Sequence, residues 1–382
     1  MGEVVLVAGK RTAIGKMGGA LSHVPPEKLA STVIRKLMAE TELPPEEVDD
    51  VILGNVVGPG GNIARLSALE AGLPVTVPGV TVDRQCGSGL EAIIMAARLV
   101  QSGAGDIYLA GGVESTSLAP WKMEKPASIH DPRGPSLYGR ARFSPEAIGD
   151  PEMGEAAENV AEMYQVPREA QDAYAYASHQ KAVEAKRKGW FQEETVEADG
   201  VHEDECPRPN TSMEKLTSLS PVFREGGTVT AGNACPMNDG ASVVLVMSYD
   251  KCLSLGLTPI VRFVDSTVAG VDPNLLGIGP VPAVRKLLER QNRTIEDVDV
   301  VEFNEAFASQ VIASLKELRV DFQKVNLAGG ALALGHPYGA SGAILVTRLL
   351  TEMKRGELNC GMATLGIGGG IGLAALFERM GR

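Results

Sequence analysis

Two stretches at opposite ends of this chain follow one design, and that repetition limits the possible folds more than any other feature. CGSGLEAIIMAARLVQSG, from Cys86 to Gly103, leaves a tight turn, forms a helical period and leads to a strand closed by Gly-Gly. YGASGAILVTRLLTEMKRG, from Tyr338 to Gly356, does the same and leads to a strand closed by Gly-Gly-Gly. The echo implies two related α/β halves. Packed face to face, such halves bring the N-termini of both helices near one another.

The rest of the chain has the same texture. Strand-like VVLVA (Val4 to Ala8) precedes a helix with Leu29, Val33, Ile34 and Leu37 on one face, and DVILGNVV follows around Ile52. Later segments predict a helix over 281–290, a strand over 298–303, helices over 305–318 and 340–354, and strands over 362–365 and 371–377. This alternation predicts an α/β protein with largely parallel, mixed sheets. From about Trp121 to Arg224 the chain turns rich in charge and proline, with amphipathic helices over 155–164 and 169–187. That region reads as an inserted cap. The expected division is an N-terminal half of residues 1–113 plus about 229–255, a loop domain of 114–228, and a C-terminal half of 256–382.

The 382 residues are 44% apolar and 22% charged, enough for substantial cores, and the formal charge of −12 excludes broad binding to a nucleic-acid backbone. No run approaches the ~18 apolar residues of a membrane span, and the N-terminus lacks the hydrophobic region and cleavage site of a secretory signal. A soluble, cytoplasmic protein with no membrane partner is therefore expected. The five cysteines are scattered, odd in number and without CxxC spacing, so neither a disulfide framework nor a zinc site is expected.

Four features carry chemistry. Cys86 lies where a strand hands over to a helix, flanked by Gly87 and Gly89, so unpaired N–H groups and the positive end of a helix dipole should lower its pKa. His336, in Gly-His-Pro, is alone among the five histidines in sitting in a tight turn; His23, His130, His179 and His202 read as surface or structural. Asn304, in EFNEAFA, stands at a strand end, where α/β sites tend to lie, although it could equally cap the next helix. The run GIGGGIG, Gly366 to Gly372, is followed by a strand and fails as a dinucleotide fingerprint, but its N–H groups could form an oxyanion hole.

Taken in order, DRQCGSGLEA, AGGVES, GTVTAGNA with NDGA, NEAFA, GGALALGHPYGASGA and GIGGGIG resemble the thiolases over nearly the whole chain. The nearest likeness is to the acetyl-CoA acetyltransferase and 3-ketoacyl-CoA thiolase type. The resemblance implies two similar α/β halves with a loop domain over the substrate. It also implies an acyl-CoA or coenzyme A substrate, no tightly bound cofactor, and a homodimer or homotetramer. Carried over, Cys86 is the acyl-accepting nucleophile, His336 its base, and Asn304 the holder of a water beside that histidine. The N–H groups of Cys86 and Gly368 form an oxyanion hole. Arg208, Cys235, Met153 and Phe307 match substrate-binding positions.

The pattern also departs from the family. Where thiolases carry a second catalytic cysteine, this chain has Gly366, which cannot move a proton, and Cys360 lies roughly 20 Å away along an extended strand. Cys235-Pro236 stands where a serine is usual, and Glu152 precedes Met153 where short-chain members have histidine. Three activities are thus implied: thiolysis or Claisen condensation with an unusual acid/base, a Cys-His-Asn decarboxylating synthase or plain acyltransferase, and a non-catalytic coenzyme A-binding partner.

Overall fold

A computed structural model describes residues 2–380 apart from Ala127, Ile129 and Asp131. The N-terminal portion contributes β1 (Val4–Thr12), α1 (Pro26–Thr41), β2 (Asp50–Gly54), β3 (Gly79–Val82), α2 (Ser88–Ser102) and β4 (Ile107–Ser115). Two helices of the charge-rich region follow, α3 (Met153–Met163) and α4 (Arg168–Arg187), and then β5 (Asn238–Ser248). The C-terminal portion supplies β6 (Val261–Gly270), α5 (Pro280–Arg290), β7 (Val300–Phe303), α6 (Ala308–Leu318), α7 (Tyr338–Gly356), β8 (Cys360–Ile367) and β9 (Ile371–Arg379).

The main sheet runs β7-β8-β9-β6-β1-β5-β4-β2-β3, with the short strands Gly15–Lys16 and Thr195–Val196 beside β5 and β1. It is mixed, and less parallel than the sequence predicts. Parallel pairing is found in β3-β2-β4, in β7-β8 and between β1 and the short Thr195–Val196 strand, while β5, β1, β6 and β9 pair antiparallel in the middle. The cause lies in the connections. β8 and β9 are joined by a glycine turn instead of a crossover helix, which forces antiparallel pairing.

Period-two alternation assigns the cores. Val4 and Leu6 join a central core with Leu90, Ile93, Val346 and Leu349, whereas Val5 and Val7 join a second core with Leu29, Val33, Ile34 and Leu37 of α1. A third core gathers α5, α6 and the opposite face of β7 to β9. The central core is thus built from α2 and α7 with strands of both halves, which explains why both helices are apolar over most of their surface.

Glycines set how closely these helices cross. A β-carbon on Gly342 of α7 would lie 2.3 Å from the backbone nitrogen of Leu90, and one on Gly89 of α2 would lie 2.8 Å from both Ala343 N and Gly339 O. These are backbone atoms with no rotamer to yield. Gly342→Ala is therefore expected to destabilise the fold by about 1–3 kcal/mol through overpacking, read as a lower denaturation midpoint in urea. An unchanged midpoint would contradict the crossing.

Candidate active site

The turn that presents Cys86 is sharply bent. Gln85 adopts φ 48, a left-handed conformation uncommon outside glycine. Side chains hold it there: Gln85 donates its N–H to Asp83 Oδ1 at 2.8 Å, and Ser88 Oγ accepts from Arg84 N at 2.8 Å while donating to Gln85 O at 2.6 Å. Cys86 itself is half-buried. The backbone N–H groups of Cys86 and Gly368 lie close enough to its sulfur to favour the thiolate, so the β8–β9 turn approaches the start of α2 here.

This environment corrects the expected acidic thiol. Burial pushes Cys86 up to about 12, and the carboxylates of Glu114 and Asp83 add to it; the two N–H donors oppose the change without reversing it. Glu114 is wholly buried in β4. It accepts from Asn55 Nδ2, Val56 N, Val57 N and Gly339 N, tying the loop after β2 to the start of α7.

His336 is held by backbone and side chain together. Gly335 before it has φ 115, and a β-carbon there would strike the Asn238 amide at 2.5 Å, so only glycine fits. Asn238 Oδ1 accepts the His336 N–H at 2.8 Å. The tautomer follows from Ser341, whose Oγ donates to Pro337 O at 2.9 Å and therefore must accept from His336 Nδ1 at 2.6 Å. That leaves Nε2 as the unprotonated nitrogen, 3.4 Å from Asn304 Nδ2. Burial lowers the His336 pKa to about 4. At neutral pH the imidazole is an uncharged acceptor and Cys86 an uncharged thiol.

Asn304 does not cap a helix: α6 begins at Ala308, with Phe307 in the capping position. Its backbone N–H bonds to Thr364 O at 3.1 Å. The neighbouring Glu305 is buried and accepts from Tyr174 Oη, Ser178 Oγ, Asn326 Nδ2 and Leu332 N, which ties the turn to α4 and to the segment before His336. A third turn joins the first two. Cys235 N donates to Ala306 O at 2.9 Å, Ala234 bridges Phe307, and Met237 bridges His336.

The remaining sequence candidates are placed as follows. Met153 starts α3, and Gly154 after it packs against the ring of Phe223, which meets Phe307 edge to face at 6.1 Å. Arg208 lies at the surface, where its backbone N–H bonds to buried His179 at 3.2 Å. Gly366 is buried without a positive φ, so its backbone conformation suits any residue, but a β-carbon there would meet the Gln310 amide at 2.8 Å and the Gly277 and Leu276 carbonyl oxygens at 3.3 Å. Cys360 is at the far end of β8, against Arg293.

Sequence reasoning missed Tyr338 and Phe143. The Tyr338 ring meets His336 edge to face at 5.1 Å, and burial, with the thiols of Cys235 and Cys86 close by, pushes its hydroxyl pKa up. Phe143, from the charge-rich region, covers Gly368, with its ring 2.8 Å from where a β-carbon would stand. Tyr338 was legible as the neighbour of Gly-His-Pro, but nothing in the loop sequence singled out Phe143.

Comparison with known proteins agrees with this architecture. The family "Thiolase, N-terminal domain" matches residues 4–250, and "Thiolase, C-terminal domain" matches residues 257–379. A Staphylococcus epidermidis protein named "Putative acetyl-CoA C-acetyltransferase VraB" is 50% identical over 99% of both chains. Its namesake in Staphylococcus aureus strain MRSA252 is 49% identical over 99% of this chain and 100% of its own. The crystal structure of the Bacillus anthracis acetyl-CoA acetyltransferase superimposes with a TM-score of 0.93 at 41% identity, covering 100% of this chain and 99% of the other. With both family domains spanning nearly its whole length, the chain belongs to the thiolase family of acyltransferases.

Proposed function

We propose that this enzyme transfers an acyl group from a coenzyme A thioester to Cys86 and then completes thiolysis of a 3-ketoacyl-CoA or the reverse Claisen condensation, with acetyl or acetoacetyl groups as the first substrates to test. The observation that supports it best is the proximity of two backbone N–H groups to the Cys86 sulfur. The same donors can follow negative charge onto the thioester oxygen as the sulfur attacks. His336 Nε2, unprotonated because Ser341 occupies Nδ1, is the acceptor for the thiol proton. Asn304 orients a water toward that histidine. Phe307 and Met153 border the acyl end, Cys235 lies between the site turns, and Arg208 at the surface meets the nucleotide end of coenzyme A. Residues 114–228 serve as the cover, supported by Phe143 over Gly368.

Incubation with acetyl-CoA tests this reading: one acetyl group should be added per chain, mapping to the Cys86 peptide. A chain that binds acetyl-CoA without gaining mass would support a non-catalytic partner. Decarboxylating synthase activity, favoured by the absence of a thiol at Gly366, is separated by offering malonyl-CoA.

Assembly as a homodimer or homotetramer is supported by an asymmetry of the sheet edges. The β7 edge is closed by Val325 and Asn326, which pair with Val301 and Phe303. The β3 edge is open, with Val80 36% exposed beside Leu66 at 47% and Val75 at 78%. A hairpin carrying exposed Met123 and Leu137 offers a second contact. Light scattering should give the mass of two or four chains, and a monomer at micromolar concentration would overturn the assembly. Among the described residues no helix is long and apolar enough to cross a membrane.

A further inference from the structure

The proposed carbon–carbon chemistry requires a proton that the groups described so far do not supply. Cleaving a 3-ketoacyl thioester releases its α-carbon as an enolate, which must be protonated, while His336 already holds the proton taken from Cys86. Position 366 offers none. A side chain beside the turns of Asn304 and His336 would supply it.

Backbone geometry brings one there. The segment from Asn233 to Asn238 is clamped at both ends: Asn233 O accepts from Ala308 N at 2.9 Å, Cys235 N donates to Ala306 O at 2.9 Å, and Met237 bridges His336. Cys235 therefore lies between the turn that carries Asn304 and the turn that carries His336. Cys86, Cys235, Phe307 and Tyr338 are each partly exposed, whereas Asn304, Glu305 and His336 behind them are buried. Burial, and next to it the proximity of Cys86, disfavours ionisation of the Cys235 thiol, and burial followed by the proximity of Cys235 does the same for the Tyr338 hydroxyl. Burial keeps the Cys235 thiol protonated at rest, the form a proton donor needs.

We propose that Cys235 is the second acid/base thiol of this site, delivering a proton to the substrate α-carbon in thiolysis and removing it in condensation. The inference rests on the acyl-transfer reading of Cys86. In thiolysis Cys86 sulfur attacks the ketone carbon, its proton passes to His336, and the carbon–carbon bond breaks with its electron pair leaving on the α-carbon. Cys235 protonates that carbon, releasing acetyl-CoA and becoming a thiolate. Cys235 regains a proton from water, coenzyme A gives one up to water and attacks the acyl-cysteine as its thiolate, and departing Cys86 recovers its proton from His336. Atoms and charges balance with no further reactant.

The test compares wild type, Cys235→Ala, Cys235→Ser and Tyr338→Phe in three assays: single-turnover acetylation of Cys86, thiolysis of acetoacetyl-CoA, and exchange of the acetyl-CoA methyl protons in deuterium oxide. Cys235→Ala should acylate Cys86 within a few-fold of wild type while thiolysis and exchange fall by about 10²–10⁴, the contribution of a positioned acid/base. Cys235→Ser, nearly isosteric, should show the same split and guards against a folding defect in the alanine variant. Unchanged thiolysis and exchange in either folded variant would overturn the proposal, as would loss of exchange in Tyr338→Phe alone. Equal losses in acylation and thiolysis would reduce Cys235 to a structural role and also overturn it. A wild type that fails to acylate Cys86 defeats the acyl-transfer reading itself, and this inference with it.

Discussion

Cys86→Ser is expected to abolish acylation by acetyl-CoA, slowing it by about 10⁴-fold or more, the scale seen when a covalent nucleophile is removed. The structure shows why sulfur has little margin to lose. Even the thiol is pushed up to about 12 by burial and by Glu114 and Asp83, so attack already depends on a base and on the N–H groups of Cys86 and Gly368. A serine hydroxyl, intrinsically several units less acidic and less nucleophilic, would face the same desolvation with the same helpers. The exchange is nearly isosteric, and Ser88 and Asp83, which hold the turn, are untouched. Intact-mass measurement with peptide mapping gives the answer. Acetyl found on Cys235 with Cys86 unmodified would overturn the nucleophile assignment.

His336→Ala should slow single-turnover acylation by about 10²–10⁴, and the wild-type pH profile should carry the signature of a buried base. Because burial lowers His336 to about 4, its working, unprotonated form persists as pH falls from 8 to 5. The acid limb of kcat/KM should therefore appear near pH 4, well below the usual histidine range, and vanish in the alanine variant. Glu114 faces the same thiol and is pushed up to about 7 by burial. Its ionisation adds negative charge beside Cys86 above neutral pH, so a shallow inflection near 7 is expected in both proteins. A folded His336→Ala protein that acylates at the wild-type rate would remove the histidine from this role.

Much of the architecture was legible in the chain. The echo between the Cys86 and Tyr338 segments predicted two helices with adjacent N-termini, and Gly89 and Gly342 meet at that crossing. The helices over 281–290 and 169–187 were placed within a residue, because each has an apolar stripe and a clear stop. α6 starts three residues later than the sequence pattern predicts. NEAFA has helical propensity, but Glu305 is pulled into a four-donor cradle from α4 and the segment before His336, which holds the turn open until Ala308. No local pattern encodes a partner 127 residues away.

The sequence by itself determined which residues could do chemistry here: a cysteine at a helix start, a histidine in Gly-His-Pro, an asparagine at a strand end and glycines in the last turn. Those identities and spacings are local properties of the chain. Only the tertiary structure decided their chemical state. The acidic thiol expected from the helix dipole became a protonated one, because desolvation and Glu114 act through space and outweigh two backbone donors. Tertiary packing also set the His336 tautomer and brought Cys235, from a segment a hundred residues from His336 in sequence, between the turns of Asn304 and His336. Burial and charge depend on everything the fold places around a group, so they cannot be read from its neighbours along the chain.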